Sequence, residues 1–342
     1  MSDNNGRQPG AAILGCAGPA LSAEERRFFA DADPFGFILF ARNIESPDQL
    51  RALTASLRDT VGREAPILID QEGGRVRRLR PPTWRDAPAM RPFGDLHAAD
   101  PEAAARALRL NVLLMALELR GLGVDVDCAP VLDVPVAGAH DIIGDRAFSL
   151  DPAVVATLGR VVADAFLEGG VYPVIKHIPG HGRAMADSHF DLPVVDAPLD
   201  DLRARDFVPF KALGDAPFAM TAHIVYTALD AARPATTSPT VIDGIIRGEL
   251  GFSGLLMTDD LSMKALTGRF EDRASASLEA GCDLVLHCNG DMAEMTAVMA
   301  GCRPLDAAGA ARWERVRGLR AAVPPEIDFA QAEAELARLL TA

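Results

Sequence analysis

The feature that most constrains the fold is a short apolar segment that recurs eight times. Each copy is too short for a helix, and each is separated from the next by enough chain to form one. The segments read AAILGCA (11 to 17), FGFILF (35 to 40), PILID (66 to 70), VDVDCAPVLDV (124 to 134), YPVIKH (172 to 177), PFAMTAH (217 to 223), GLLMTDD (254 to 260) and CDLVLHCN (282 to 289). Helix punctuation lies between them. SPDQ, Ser46 to Gln49, reads as a capping box with proline at the first helical position, where its missing N–H costs nothing. The same start recurs at Asp100-Pro101, Asp151-Pro152 and Ser238-Pro239. Gly121, Gly169, Gly251 and Gly281 stand just ahead of the next strand and are expected to close the helices as left-handed caps.

Strands that are apolar nearly throughout, alternating with helices, imply a parallel sheet covered on both faces. Eight of them favour a closed (β/α)8 barrel, an α/β fold of the TIM type, over an open doubly wound sheet. No G-x-G-x-x-G follows an early strand to support a dinucleotide fold. An irregular or reversed strand early in the barrel is allowed by this pattern. The whole chain, 1–342, reads as one barrel domain, with 1–10 a flexible N-terminus and 303–342 amphipathic helices packed on the barrel.

Composition sets the setting. Apolar residues make up 49% and charged residues 24%, enough for a sizeable core. A net charge of -14, with no basic run to offset it, opposes binding to a phosphate backbone, so nucleic acid is not an expected partner. The five cysteines are odd in number and show no C-x-x-C spacing, as in a reducing compartment. The start, MSDNNGRQPG, lacks the pattern of a secretory signal, and no apolar run is long enough to span a bilayer. A cytoplasmic monomer without membrane contact is expected.

In such a barrel the chemistry gathers at the C-terminal ends of the strands. The third ends at Asp70, followed by QEGGRVRR, the fourth at Asp133 and the fifth at Lys176-His177. The sixth ends at His223, the seventh at Asp259-Asp260 and the eighth at Asn289. Polar residues ending six of eight apolar strands are costly to bury without purpose, so these ends are expected to converge on one polar pocket.

Three chemistries fit a pocket of this composition. A metal-dependent hydrolase would use its imidazoles and carboxylates, but His177 and His181 bracket Ile-Pro-Gly, which cannot present them on one helical face. Schiff-base chemistry would use Lys176. Glycoside hydrolysis by double displacement needs a carboxylate nucleophile and an acid/base. Asp259 is placed for the first role, with Asp260 turned away along the strand. In ADSH, the loop residues Asp187 and His189 are spaced so that the carboxylate can orient the imidazole for proton transfer, although a D-x-H in a loop is often incidental.

Together KHIPGHG, DSH four residues later, DQEGGRVRR, IIGDRAFS and TDDLSM resemble the bacterial β-N-acetylglucosaminidases of glycoside hydrolase family 3, in their peptidoglycan-recycling branch. The likeness spans roughly residues 11–300, with Ile178 where the family more often has Phe. It implies Asp259 as nucleophile, Asp187 and His189 as the acid/base pair, and Asp70, Arg78, Arg146, Lys176 and His177 as the sugar-binding set. It also implies no metal or other cofactor, and a small carbohydrate substrate: terminal N-acetylglucosamine on muropeptides, including 1,6-anhydro-N-acetylmuramoyl peptides. A β-N-acetylglucosaminide phosphorylase and a non-catalytic amino-sugar-binding protein are the rival readings. His181, between two glycines, is expected to shape the loop rather than react.

Overall fold

The computed structural model describes residues 8–136, 138, 141–184 and 191–341. Eight strands close into a barrel: Gly10–Leu14, Pro34–Leu39, Ile67–Ile69, Val126–Asp127, Tyr172–Ile178, Phe218–Thr221, Leu255–Asp260 and Leu284–His287. Each strand pairs with its sequence neighbours and the first pairs with the last. Every pairing is parallel, so no strand is reversed. The early irregularity takes the form of a register shift between Gly10 and Ile13, where the first strand meets the second.

The strands are buried on both faces, as their composition requires; Ala11 to Leu14 and Ile67 to Ile69 are all fully buried. The fourth is the shortest, and Pro130, which has no N–H to give to a ladder, follows three residues after its end. Its extension still pairs irregularly, with Val131 bridged to Lys176.

The helices begin where the sequence places them. Asp100 and Asp151 accept from the first-turn N–H groups, and Ser46 accepts from the Gln49 N–H at 3.2 Å. The box at Ser46 is half formed, because the Gln49 side chain takes the Glu45 N–H instead. Leu50, Leu53, Thr54 and Leu57 then form the buried stripe of helix Pro47–Val61.

The helix ends depart from expectation at two of four glycines. Gly251 and Gly281 have φ of 68° and 113°, but Gly121 and Gly169 do not adopt the left-handed region. Gly123 and Gly170 take that turn instead, at 78° and 81°. Each of these two helices runs up to two residues further, and the glycine nearer the strand makes the turn.

The end of the expected N-terminal tail, 1–10, takes part in the fold. Gly10 opens the first strand, and the Pro9 carbonyl accepts the Leu305 N–H at 2.8 Å. Near the C-terminus, helices Ala307–Val316 and Phe329–Thr341 form as expected. Trp313 packs edge-on against Phe35 and Tyr172, closing the barrel's N-terminal end. Among the described residues no helix is long and apolar enough to cross a membrane.

Beyond the barrel's C-terminal ends, Val194–Val195 pairs with Val225–Tyr226. Tyr226 Oη donates to the Gly180 carbonyl at 2.8 Å. The chain that follows the sixth strand thereby holds the chain that follows the fifth.

Candidate active site

A cavity of about 400 Å³ opens where the strands end. That is room for one small ligand. Asp70 and Glu72 enter it from the third strand and its loop, Lys176 and His177 from the fifth strand, Met220 from the sixth and Asp259 from the seventh. Arg78 returns from the loop after Asp70, and Arg146 comes from the turn Gly144–Arg146.

Charges of opposite sign alternate along one wall. Arg78 Nη2 lies 2.9 Å from Asp70 Oδ2, and Asp70 Oδ1 lies 2.9 Å from Lys176 Nζ. Lys176 Nζ is also 2.7 Å from Glu72 Oε1. Glu72 takes Arg146 in a fork, Nε to Oε2 and Nη2 to Oε1, both at 2.8 Å. Burial alone would raise the pKa of Asp70, but Lys176 and Arg78 outweigh it and hold the carboxyl well below the carboxylate range. Burial opposes ionisation of Glu72 too, and Arg146 and Lys176 bring it to about 2. Burial would lower the pKa of Lys176, yet Asp70 and Glu72 raise it. A lysine held protonated in this way is no nucleophile, so the wall does not support Schiff-base chemistry.

His177 is fixed from behind. Asp133, fully buried, accepts from His177 Nδ1 at 2.7 Å and from the backbone N–H groups of His177 and His181 at 3.2 and 2.6 Å. That leaves Nε2 of His177 as the ring nitrogen free to meet a ligand. His181 reaches the same cavity, with its ring 5.5 Å from that of His177 at an interplanar angle of 62°. Burial, and then His177, lower its pKa to about 4, so it is neutral near pH 7. Its neighbour Gly182 leaves no room for a side chain, since a Cβ there would sit 2.1 Å from the Val134 carbonyl oxygen.

Asp259 faces this wall. Burial would raise its pKa, but His177, His223 and the Asp260 N–H at 2.8 Å keep it below the ordinary value. Asp260 is not turned fully away as strand alternation suggests: it borders the same cavity, while its carboxylate takes the N–H groups of Ser262 and Cys288 at 3.0 and 3.1 Å.

The structure brings together Asp70, Arg78, Arg146, Lys176, His177 and Asp259. Asp187 and His189 lie outside the described residues. Three of the six polar strand ends do not line the cavity. Asp133 stands behind His177. His223 is fully buried, with Nδ1 2.7 Å from Thr236 Oγ1 and Nε2 3.1 Å from the Asp260 carbonyl. Asn289 is turned to Glu294 at the surface. Glu72 was not among the residues singled out from sequence, and its position two after Asp70, in a loop with no periodicity, is the one signal that pointed to it.

A second cavity of about 400 Å³ lies at the other end of the barrel, around Trp313, Asp125 and Arg320. Its cations are matched by neighbouring carboxylates, as Arg320 is by Asp125 at 3.2 Å and Arg317 by Glu314 at 2.8 Å. Barrel chemistry belongs to the opposite end.

Known proteins resemble this chain in sequence and in fold. Residues 11–316 match the glycosyl hydrolase family 3 N terminal domain. A beta-hexosaminidase of Xanthomonas campestris pv. campestris is 42% identical over 294 residues, covering 84% of this chain and 88% of that one. One from Bordetella avium is 40% identical over 285 residues, 82% and 81% of the two chains. Among solved structures, NagZ from Neisseria gonorrhoeae in complex with N-trifluoroacetyl-D-glucosamine superimposes with a TM-score of 0.88 at 33% identity, over 98% of this chain and 99% of that one. The gonococcal protein has also been crystallised with zinc ion. Among the described residues here, no group of three His, Cys, Asp or Glu side chains is placed to hold a metal.

Proposed function

This chain belongs to glycosyl hydrolase family 3 and is a glycoside hydrolase of the β-hexosaminidase kind, and we propose that it removes a non-reducing terminal β-linked N-acetylglucosamine with retention of configuration. The observation that carries this reading is the placement of Asp259, held ionised, in one cavity with Asp70, Lys176 and His177. A carboxylate kept charged beneath a wall of fixed donors and acceptors is what attack on an anomeric carbon needs. The gonococcal complex with an N-acylated glucosamine supports the choice of sugar.

In the first step the Asp259 carboxylate bonds to the anomeric carbon as the glycosidic C–O bond breaks. The leaving oxygen takes a proton from the His189 imidazolium, oriented by Asp187. In the second step water attacks the glycosyl ester and gives a proton to His189, which restores Asp259 and the acid. Asp70, Arg78 and the Lys176-His177 pair hold the sugar hydroxyls. Arg146 supports the wall and offers the N–H groups that Glu72 leaves free. The natural substrates are taken to be muropeptides, among them N-acetylglucosaminyl-1,6-anhydro-N-acetylmuramoyl peptides, handled in the cytoplasm by a monomer during cell-wall recycling.

Turnover of an aryl β-N-acetylglucosaminide with chelator present tests the reading. Release of N-acetylglucosamine first as the β anomer, followed by NMR, is the expected result; an α anomer first, or loss of activity in chelator, contradicts it. Added phosphate distinguishes a phosphorylase, which would give N-acetylglucosamine 1-phosphate. Binding of the glycoside without turnover would instead mark a sugar-binding protein.

A further inference from the structure

We propose that Glu72 is a positioning residue of the sugar site, which sets Lys176 and Arg146 in place without touching the substrate itself; this rests on the reading of the cavity as a sugar site. Glu72 is 3% exposed although it borders the cavity. Both its oxygens are occupied. Oε2 accepts from Arg146 Nε, while Oε1 accepts from Arg146 Nη2 and stands 2.7 Å from Lys176 Nζ. A carboxylate so engaged has little left to offer a sugar hydroxyl.

The consequences fall on the two cations. Lys176 has three N–H donors. One goes to Asp70 and one to Glu72, which fixes the direction of the third. Arg146 commits Nε and one Nη2 hydrogen to Glu72 and donates Nη1 to the Ile142 carbonyl at 3.1 Å. It keeps one hydrogen on each Nη nitrogen. Glu72 thus decides which hydrogens of both side chains remain for a ligand.

Glu72 also joins separate parts of the chain. Arg146 is 74 residues away, on the turn whose Ile142 and Ile143 line the cavity. Arg75, three residues on from Glu72, holds the same turn by donating Nη2 to the carbonyls of Asp141, Ile142 and Ile143 at 2.7, 2.9 and 3.2 Å. The wall over the ligand is therefore tied at two points to the loop that follows Asp70.

Electrostatics favour a positioning role as well. Arg78, Lys176 and Arg146 would repel one another in a partly closed cavity without the carboxylates between them. Asp70 separates Arg78 from Lys176, and Glu72 separates Lys176 from Arg146. Removing the charge at 72 leaves two buried cations facing each other, with Lys176 held by Asp70 and Arg146 by the Ile142 carbonyl, a looser hold on the geometry the sugar needs.

The test is Glu72→Gln, which keeps shape and loses charge, beside Glu72→Asp, which keeps charge and shortens reach. For each protein, shown to be folded by circular dichroism, kcat and KM for an aryl β-N-acetylglucosaminide and the inhibition constant of free N-acetylglucosamine are measured. The expected result for Glu72→Gln is a rise of about tenfold or more in KM and in the inhibition constant together, as loss of a charge-assisted bond implies. Glu72→Asp should recover part of it. In a Lys176→Met background, the effect of Glu72→Gln should shrink to the part that acts through Arg146. Should Glu72→Gln fail to fold, Glu72→Asp is held to the same two constants.

Folded variants with KM and inhibition constant unchanged, or a full independent loss in the Lys176→Met background, would overturn the assignment. Wild-type protein without activity on the glycoside would instead overturn the reading of the cavity, so the two failures are told apart.

Discussion

Asp133 Oδ2 sits 2.7 Å from His177 Nδ1, and the same carboxylate also collects the backbone N–H groups of His177 and His181. Burial would raise its pKa, but His177 and His181 hold it at about 2. The folded value lies below the unfolded one near 3.9. The stabilisation is therefore complete above that value and is lost as pH falls through 3.9 toward 2. Asp133→Asn should cost about 1–3 kcal/mol at pH 7. Urea unfolding at several pH values should show the gap to wild type narrowing from about pH 5 downward. A gap independent of pH would contradict this account of the Asp133 charge.

Asp127 has the opposite balance. It is fully buried, Oδ1 takes the Gln71 N–H at 2.9 Å, and Oδ2 has no hydrogen-bond partner among the described residues. Burial drives its pKa up to about 8, with Asp70 and Glu72 adding to the effect and the Gln71 N–H and Lys176 opposing it. The folded protein thus holds a proton that the unfolded chain releases, and stability falls as pH rises from about 4 to about 8. Asp127→Asn, which cannot ionise, should gain in melting temperature relative to wild type across that range. Equal melting shifts at pH 5 and pH 8 would show Asp127 ionising normally.

Lys176 should not form a covalent adduct. With Asp70 and Glu72 keeping it protonated, borohydride added during turnover should leave activity intact. Inactivation with a sugar-sized mass increase on Lys176 would revive the imine chemistry that the charged wall argues against.

The two loop histidines should separate by role. His181 gives its backbone N–H to Asp133, and its ring sits edge-on to His177. His181→Ala should stay within about tenfold of wild type in kcat, with His189→Ala losing about 100-fold or more, as removal of general acid/base catalysis does. Equal losses in two folded variants would make His181 a participant in the chemistry.

The barrel was legible because its cause is local. Strand composition and helix starts such as Asp100-Pro101 and Asp151-Pro152 act within a few residues of themselves. The left-handed turns were only half legible. Where two glycines stand close together, as at Gly121 and Gly123 or Gly169 and Gly170, sequence does not say how far the helix runs before it turns. The site was read less evenly. Asp70, Lys176 and Asp259 end their strands facing the cavity, as strand position implies. His223 and Asn289 end theirs as well, but one is buried against Thr236 and the other turns to Glu294. Polarity at a strand end does not reveal direction. Glu72 escaped notice because its importance depends on Arg146, which the fold alone brings to it.

The central claim is that Asp259 is the nucleophile. A 5-fluoro-β-N-acetylglucosaminyl fluoride, which slows breakdown of a glycosyl-enzyme more than its formation, should add one glycosyl mass to the intact protein. Peptide mapping should place that mass on the segment carrying Asp259, and Asp259→Asn should abolish it. Turnover without any accumulated adduct in wild type, or a label mapped to another carboxylate or to Lys176, would contradict the account.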